Sequence, residues 1–201
     1  MRPGIRPGRS AALLLLGGLL VGSSGCATLQ QMAALRQVDF SLHRVSALTL
    51  AGVDLTRVRS YEDLGVLDVA RITAAVATRR LPLDFTLHVR ADNPEGNGQA
   101  RMTALDWTLF LQDRETVSGG LPSSVLIPAG GEADIPLGIR LDLLEFFDGS
   151  GRDLVNLALS LAGQESPPTT VRLQAVPTVD TPIGPIRYPG PITVASRTVG
   201  G

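Results

Sequence analysis

Leu83-Asp84-Phe85-Thr86-Leu87-His88-Val89-Arg90 alternates apolar and polar residues without a break. A period of two sends successive side chains to opposite faces, so this stretch predicts a strand with one face buried and the other wet. A turn-forming cluster follows, Asp92-Asn93-Pro94-Glu95-Gly96-Asn97-Gly98. Leu105-Asp106-Trp107-Thr108-Leu109-Phe110-Leu111 resumes the alternation, with Leu105, Trp107, Leu109 and Leu111 on one side. Gly119-Gly120 and Gly130-Gly131 punctuate what comes next, and the segment from Ala133 to Leu141 alternates again. Short alternating runs between Gly- and Pro-rich turns predict a mainly β chain, folded as an antiparallel β-sandwich of about seven strands.

On the N-terminal side, Arg36 to Val45 reads as a strand with Val38, Phe40 and Leu42 inward and Asp39, Ser41 and His43 outward. Ala47 to Leu55 reads as a second strand, kinked at Gly52. The period then changes. Ser60 followed by Asp63 is a helix-start signal, and Val69, Ile72 and Val76 recur at helical spacing. Arg79 and Arg80 suit a helix C-terminus and Pro82 forbids continuation, so a helix is expected over about 64–79. A second helix is expected over 151–162, opened by Ser150 and Asp153 and stopped at Gly163. Leu154, Val155, Leu157, Leu159 and Leu161 make it apolar on most sides, so something must cover it. The sheet is the expected cover. An apolar ligand held by Val69, Ile72, Leu157 and Leu161 is the alternative.

The C-terminal third is rich in proline. Val171 to Val176 alternates as a strand, whereas the prolines between Asp180 and Val194 remove too many donors for a central strand. That segment is expected to be a hairpin or edge strand, followed by a frayed tail over 197–201.

The first residues carry a different message. Arg2, Arg6 and Arg9 precede an apolar run from Ala11 to Val21, and small residues lead on to Cys26. That is the tripartite pattern of an export signal, and the run is about half the length that a spanning helix needs. Gly22-Ser23-Ser24-Gly25-Cys26 resembles a bacterial lipobox, with Ser23 where leucine is commonest. The resemblance implies cleavage after Gly25 and acylation of Cys26. The chain then divides into a signal over 1–25, a tether over 26–36 and a domain over 37–196. Ala27, in place of an aspartate, favours an outer membrane facing the periplasm.

Composition narrows the partners. Cys26 is the single cysteine, so no intramolecular disulfide is available and the domain must be held by burial. The formal net charge of −1 becomes −4 once Arg2, Arg6 and Arg9 are cleaved away. Mild acidity without a basic stripe argues against nucleic acid. The expected partners are the membrane, through Cys26, and an envelope protein or apolar ligand.

Chemistry is sparse in the linear pattern. His43 and His88 both fall on outward strand phases and are expected to be solvated. No serine sits in a Gly-x-Ser-x-Gly elbow, no phosphate loop is present, and the loop acids lack calcium-loop spacing. No cofactor or metal and no enzyme activity are expected. Phe110 is out of phase with Trp107 and is expected to pack beneath a helix, like Phe146 and Phe147.

The ordered set of blocks resembles the type 2 late embryogenesis abundant family, also called the water stress and hypersensitive response domain. The likeness begins in Leu83 to Pro94, a strand ending in Asn93-Pro94. It continues in Ala104 to Leu111, Glu115 to Gly119, and Ile127 to Gly131 with the alternating strand to Leu144. Glu95 replaces the family's commoner asparagine, and the two helices lie outside the minimal domain. The resemblance implies a seven-stranded sandwich of the fibronectin type III or immunoglobulin kind. It also implies a non-catalytic role in stress or desiccation tolerance. Turn chemistry makes Asn93 and Pro94 an architectural pair, with the asparagine side chain bonding its own turn.

Overall fold

The computed structural model describes residues 33–121, 123–164, 168–179 and 184–199. Two antiparallel sheets pack face to face as a sandwich. The first has the order β2-β1-β3-β7, built from β1 (Asp39–Leu50), β2 (Val53–Asp54), β3 (Pro82–Asp92) and β7 (Glu132–Asp142). The second has the order β10-β8-β4-β5, from β4 (Ala100–Leu111), β5 (Arg114–Gly120), β8 (Thr169–Val179) and β10 (Ile192–Val199). Two short strands join it: β6 (Val125–Ile127) on β4 and β9 (Ile186–Arg187) on β8.

The strand that decides the fold is β3. It pairs with β1 on one side and with β7 on the other, without a slip from Pro82↔Asp142 to Asp92↔Glu132. Leu83, Phe85, Leu87 and Val89 face inward and are buried, as the alternation requires. Opposite them stand Leu105, Trp107, Leu109 and Leu111 from β4, with Leu173 and Ala175 from β8. Among the described residues thirty-six buried apolar side chains form one contiguous core, enough to hold a domain that has no internal disulfide.

Among the described residues seven long strands match the expected number, with three short ones added. The expected break between Val45 and Ala47 is instead a bulge inside one continuous β1, where the pairing jumps from Ser46↔Thr86 to Thr49↔Asp84. Ala47 takes a left-handed φ of 51° there. Gly52, φ 76°, sits in the tight turn that returns β1 to β2. Of the tail expected to be frayed over 197–201, the last two residues lie outside the described ones and the first three are in β10. Arg197, Thr198 and Val199 are paired with Val171, Thr170 and Thr169.

The first helix is shorter than expected. Ser60 and Asp63 open a separate 3-10 turn (Tyr61–Asp63), whose Asp63 carboxylate accepts the N–H groups of Arg59 and Ser60 at 3.0 Å each. Helix α1 (Val66–Ala77) then starts at Gly65, and Arg79, with φ 54°, already lies past its end. A short helix α2 (Leu143–Phe146), unforeseen in the sequence, ends β7. Its Asp142 cap accepts the Leu144 N–H and also the Leu81 N–H, which ties the start of β3 to the end of β7.

Helix α3 (Gly151–Leu161) matches expectation closely. The hydroxyl of Ser150 accepts the Asp153 N–H while the Asp153 carboxylate accepts the Ser150 N–H, and Gly163 turns the chain at φ 72°. Its apolar surface is covered by protein. Leu154, Val155, Ala158, Leu159 and Leu161 are all buried, packed against β1, β8, the 3-10 turn and α1.

Candidate functional site

Cys26, on which the anchoring expectation rests, lies outside the described residues. Just beyond it, residues 33–37 are helical, and Ala34 and Leu35 are buried in the core. The expected tether over 26–36 is therefore packed against the domain by its last residues.

Asn93 and Pro94 form the corner that leaves β3. The Asn93 side chain is buried and donates to the carbonyls of Gly98 (3.0 Å) and Pro128 (2.7 Å). Asn97, also buried, donates to the Asn93 carboxamide oxygen and to the Ala34 carbonyl at 2.9 Å. Two amides thus tie three chain segments together, and Pro94 stays exposed with its carbonyl accepting the Asn97 N–H.

The four residues expected to line an apolar site do not converge. Ile72 is 2% and Leu161 4% exposed, each within the core. Val69 is half-buried on α1, and Leu157 faces a small pocket of about 130 Å³ beside Asn156 and Thr169. A larger opening than this lies elsewhere. Among the described residues β2 pairs only with Thr49 and Leu50, and 39–46 of β1 have no strand on that side, beside β10 at the edge of the other sheet. The sandwich gapes along this seam as a groove of about 460 Å³. Leu42, Val45, Phe85, Leu161 and Val171 line it, and His43 and Arg197 stand at its rim. Of the four expected residues, Leu161 alone reaches it.

Two side chains depart from expectation. Phe110 does not pack beneath a helix. It lies on the outer face of the second sheet, with the Arg172 guanidinium 4.1 Å from its ring centroid. His88 is on the outward phase as read, yet it is not solvated, being 8% exposed. Its Nε2 lies 2.8 Å from the Ser46 hydroxyl, and its Nδ1 lies 2.7 Å from Oδ2 of Asp134. Arg44 stands 3.7 Å from the same carboxylate oxygen. His43 is exposed as expected.

Charged groups whose protonation is perturbed brace helix starts and join neighbouring elements. Hydrogen bonds from Ser150 hold the Asp153 carboxyl below its ordinary value of 3.8. The Arg59 and Ser60 amides do the same for Asp63, and Arg152 lowers Glu62. Asp92 and Glu132 together raise Arg90. Among the described residues no group of His, Cys, Asp and Glu could hold a metal ion. No helix there is long and apolar enough to cross a membrane.

No known family matches the chain, and no curated protein matches it either. Several solved structures are similar. A putative late embryogenesis abundant protein, solved in solution, is 14% identical over 91% of this chain and 86% of its own, with a TM-score of 0.35. A protein from Archaeoglobus fulgidus is 12% identical over 60% and 87%, with a TM-score of 0.33. An Arabidopsis thaliana protein is 19% identical over 56% and 71%, also at 0.33. Likenesses at this level carry no functional argument.

Proposed function

We propose that the chain is a lipid-anchored protein of the bacterial envelope whose β-sandwich belongs to the type 2 late embryogenesis abundant kind. It acts through its folded surface, as a protective or protein-interaction module in stress or desiccation. The observation that carries this reading is the Asn93-Pro94 corner, where the residues that bear the resemblance are the ones that lock β3 to the turns at Gly98 and Pro128. A uniquely folded core, not a disordered chain, would then be the agent of protection. The anchor is the acylated Cys26, in the outer membrane facing the periplasm.

The test uses the full chain expressed in a Gram-negative host fed labelled palmitate. The label is expected on the wild type, which sediments with outer membranes, and not on Cys26→Ser, which is expected to be unprocessed or released. An unlabelled wild type removes the anchor. Drying a labile enzyme with and without the purified protein tests the protective role. Equal enzyme losses in the two samples would remove that half of the reading.

A second reading is favoured by the seam groove: a carrier of an apolar ligand. The groove joins core side chains to a rim bearing His43 and Arg197, an arrangement that suits a chain with an anionic end. Native mass spectrometry of the full chain extracted from its own envelope is the test, with a co-purifying lipid mass expected. A bare protein at every extraction condition argues for the module alone.

A further inference from the structure

Ser46, His88 and Asp134 sit on three adjacent strands in a diagonal that the register sets. Ser46 pairs with Thr86, His88 follows two residues on and pairs with Pro136, and Asp134 pairs with Arg90. Two-residue steps keep all three on the outer face of the sheet. The contacts have the connectivity of a serine hydrolase: hydroxyl to Nε2 at 2.8 Å, Nδ1 to carboxylate at 2.7 Å. Such a triad is recognised by geometry and roles, not by chain order or fold. We propose that Ser46, His88 and Asp134 form a hydrolytic centre on the outer face of the β2-β1-β3-β7 sheet, acting on short-chain carboxylic esters.

Two independent features support it. The first is the bulge. Ala47, directly after Ser46, has a left-handed φ of 51° and no partner in the β1–β3 register. Strained backbone next to a nucleophile concentrates at functional sites, and the amide after the nucleophile is the usual donor to an oxyanion. The second is space. The row containing Ser46 continues across the sheet as Thr86 and Gly138, and nothing stands within 4 Å of where a Gly138 Cβ would be. The outer face is thus open at Gly138, two strands from the serine and beyond Thr86. Thr86 stands between the serine and that opening, which sets the preference for short chains.

The chemistry balances with water alone. The Ser46 oxygen attacks the ester carbonyl as its proton passes to His88 Nε2; the carbon–alkoxide bond breaks and the alkoxide leaves with that proton as the alcohol. Water then attacks the acyl carbon, gives one proton through His88 back to the Ser46 oxygen, and releases the carboxylic acid. Asp134 is a positioning residue: its carboxylate accepts a hydrogen bond from Nδ1–H and holds the ring with Nε2 toward the serine. Arg44, 3.7 Å away, orients that carboxylate in turn.

The test is made on the full chain in detergent, using p-nitrophenyl acetate and a fluorophosphonate probe with peptide mapping. The probe is expected on Ser46, with turnover lost in Ser46→Ala. His88→Gln is expected to slow labelling by at least about a hundredfold. Asp134→Asn is expected to lower kcat by a similar factor with KM and the melting temperature unchanged, which a merely structural contact would not do. Should Ser46→Ala fold poorly, Ser46→Cys serves instead. Its alkylation by iodoacetamide is expected to be fast with His88 present and slow in the Ser46→Cys/His88→Gln double variant. A wild type that melts cooperatively yet is unlabelled at Ser46, or is labelled equally without His88, overturns the proposal.

Discussion

At Asn93, one carboxamide donates to two carbonyls from different turns and accepts from Asn97, all within the core. Asn93→Ala removes one hydrogen bond from each of these groups, and a buried polar group left short of a partner costs about 1–3 kcal/mol. The expected loss is about 3 kcal/mol of unfolding free energy, measured by urea titration. Gly119 carries a different constraint. Its cross-strand partner is Trp107, whose ring lies 2.4 Å from where a Gly119 Cβ would stand. The indole occupies the space that the missing side chain leaves, a pairing that shields glycine in a strand. Gly119→Ala must push the ring into a packed core and is expected to cost about 1–3 kcal/mol, with a shift in tryptophan fluorescence as a second readout.

Helix α1 shows how an element can match its expected position and still differ in what it does. Its spacing reads as amphipathic, but only Ile72 is buried, while Val66 and Leu67 are 87% and 75% exposed. Ile72→Ala is therefore expected to cost about 3 kcal/mol, and Leu67→Ser less than about 0.5 kcal/mol, both read from thermal melts. Helix α3 differs because its apolar side chains are enclosed and its start is braced by charge. The Asp153 carboxyl, kept below 3.8 by Ser150, stabilises the fold above that value and loses its contribution as pH falls through its lowered folded value. Melting temperature followed down from neutral pH should fall in acid for the wild type, and Asp153→Asn should show a flatter curve. A variant as acid-sensitive as the wild type would assign the loss to other carboxylates.

For the whole molecule, the open seam between β1 and β10 is the feature on which the carrier reading turns. Leu42→Trp at the groove is expected to weaken binding of a fluorescent fatty-acid analogue severalfold while leaving the melt unchanged, because Leu42 is only partly buried. Equal binding by the variant would locate any ligand elsewhere. Away from the seam, β3 and β7 are linked by cross-strand ion pairs, Arg90 with Glu132 and Arg140 with Asp84. Exposed pairs of this kind contribute little stability, and here they order the outer faces.

The alternation of Leu83 to Arg90, the Asn93-Pro94 turn and the Ser150/Asp153 box were all readable in the chain, because periodicity, turn chemistry and capping act over a few residues. Ser60 misled for the same reason: its local signal was genuine, but it opens a 3-10 turn before Gly65 starts the helix. Other features depended on which strand lies beside which. The bulge at Ser46, the burial of His88 between Ser46 and Asp134, and the cover of Phe110 by Arg172 join residues tens of positions apart. Linear spacing carries no trace of such contacts. So the long alternating strands, helix α3 and the Asn93 turn followed from the sequence, since local sterics and hydrophobic periodicity specify them. The Ser46–His88–Asp134 diagonal and the seam groove were decided by tertiary structure, since only strand register and sheet packing bring distant side chains within reach.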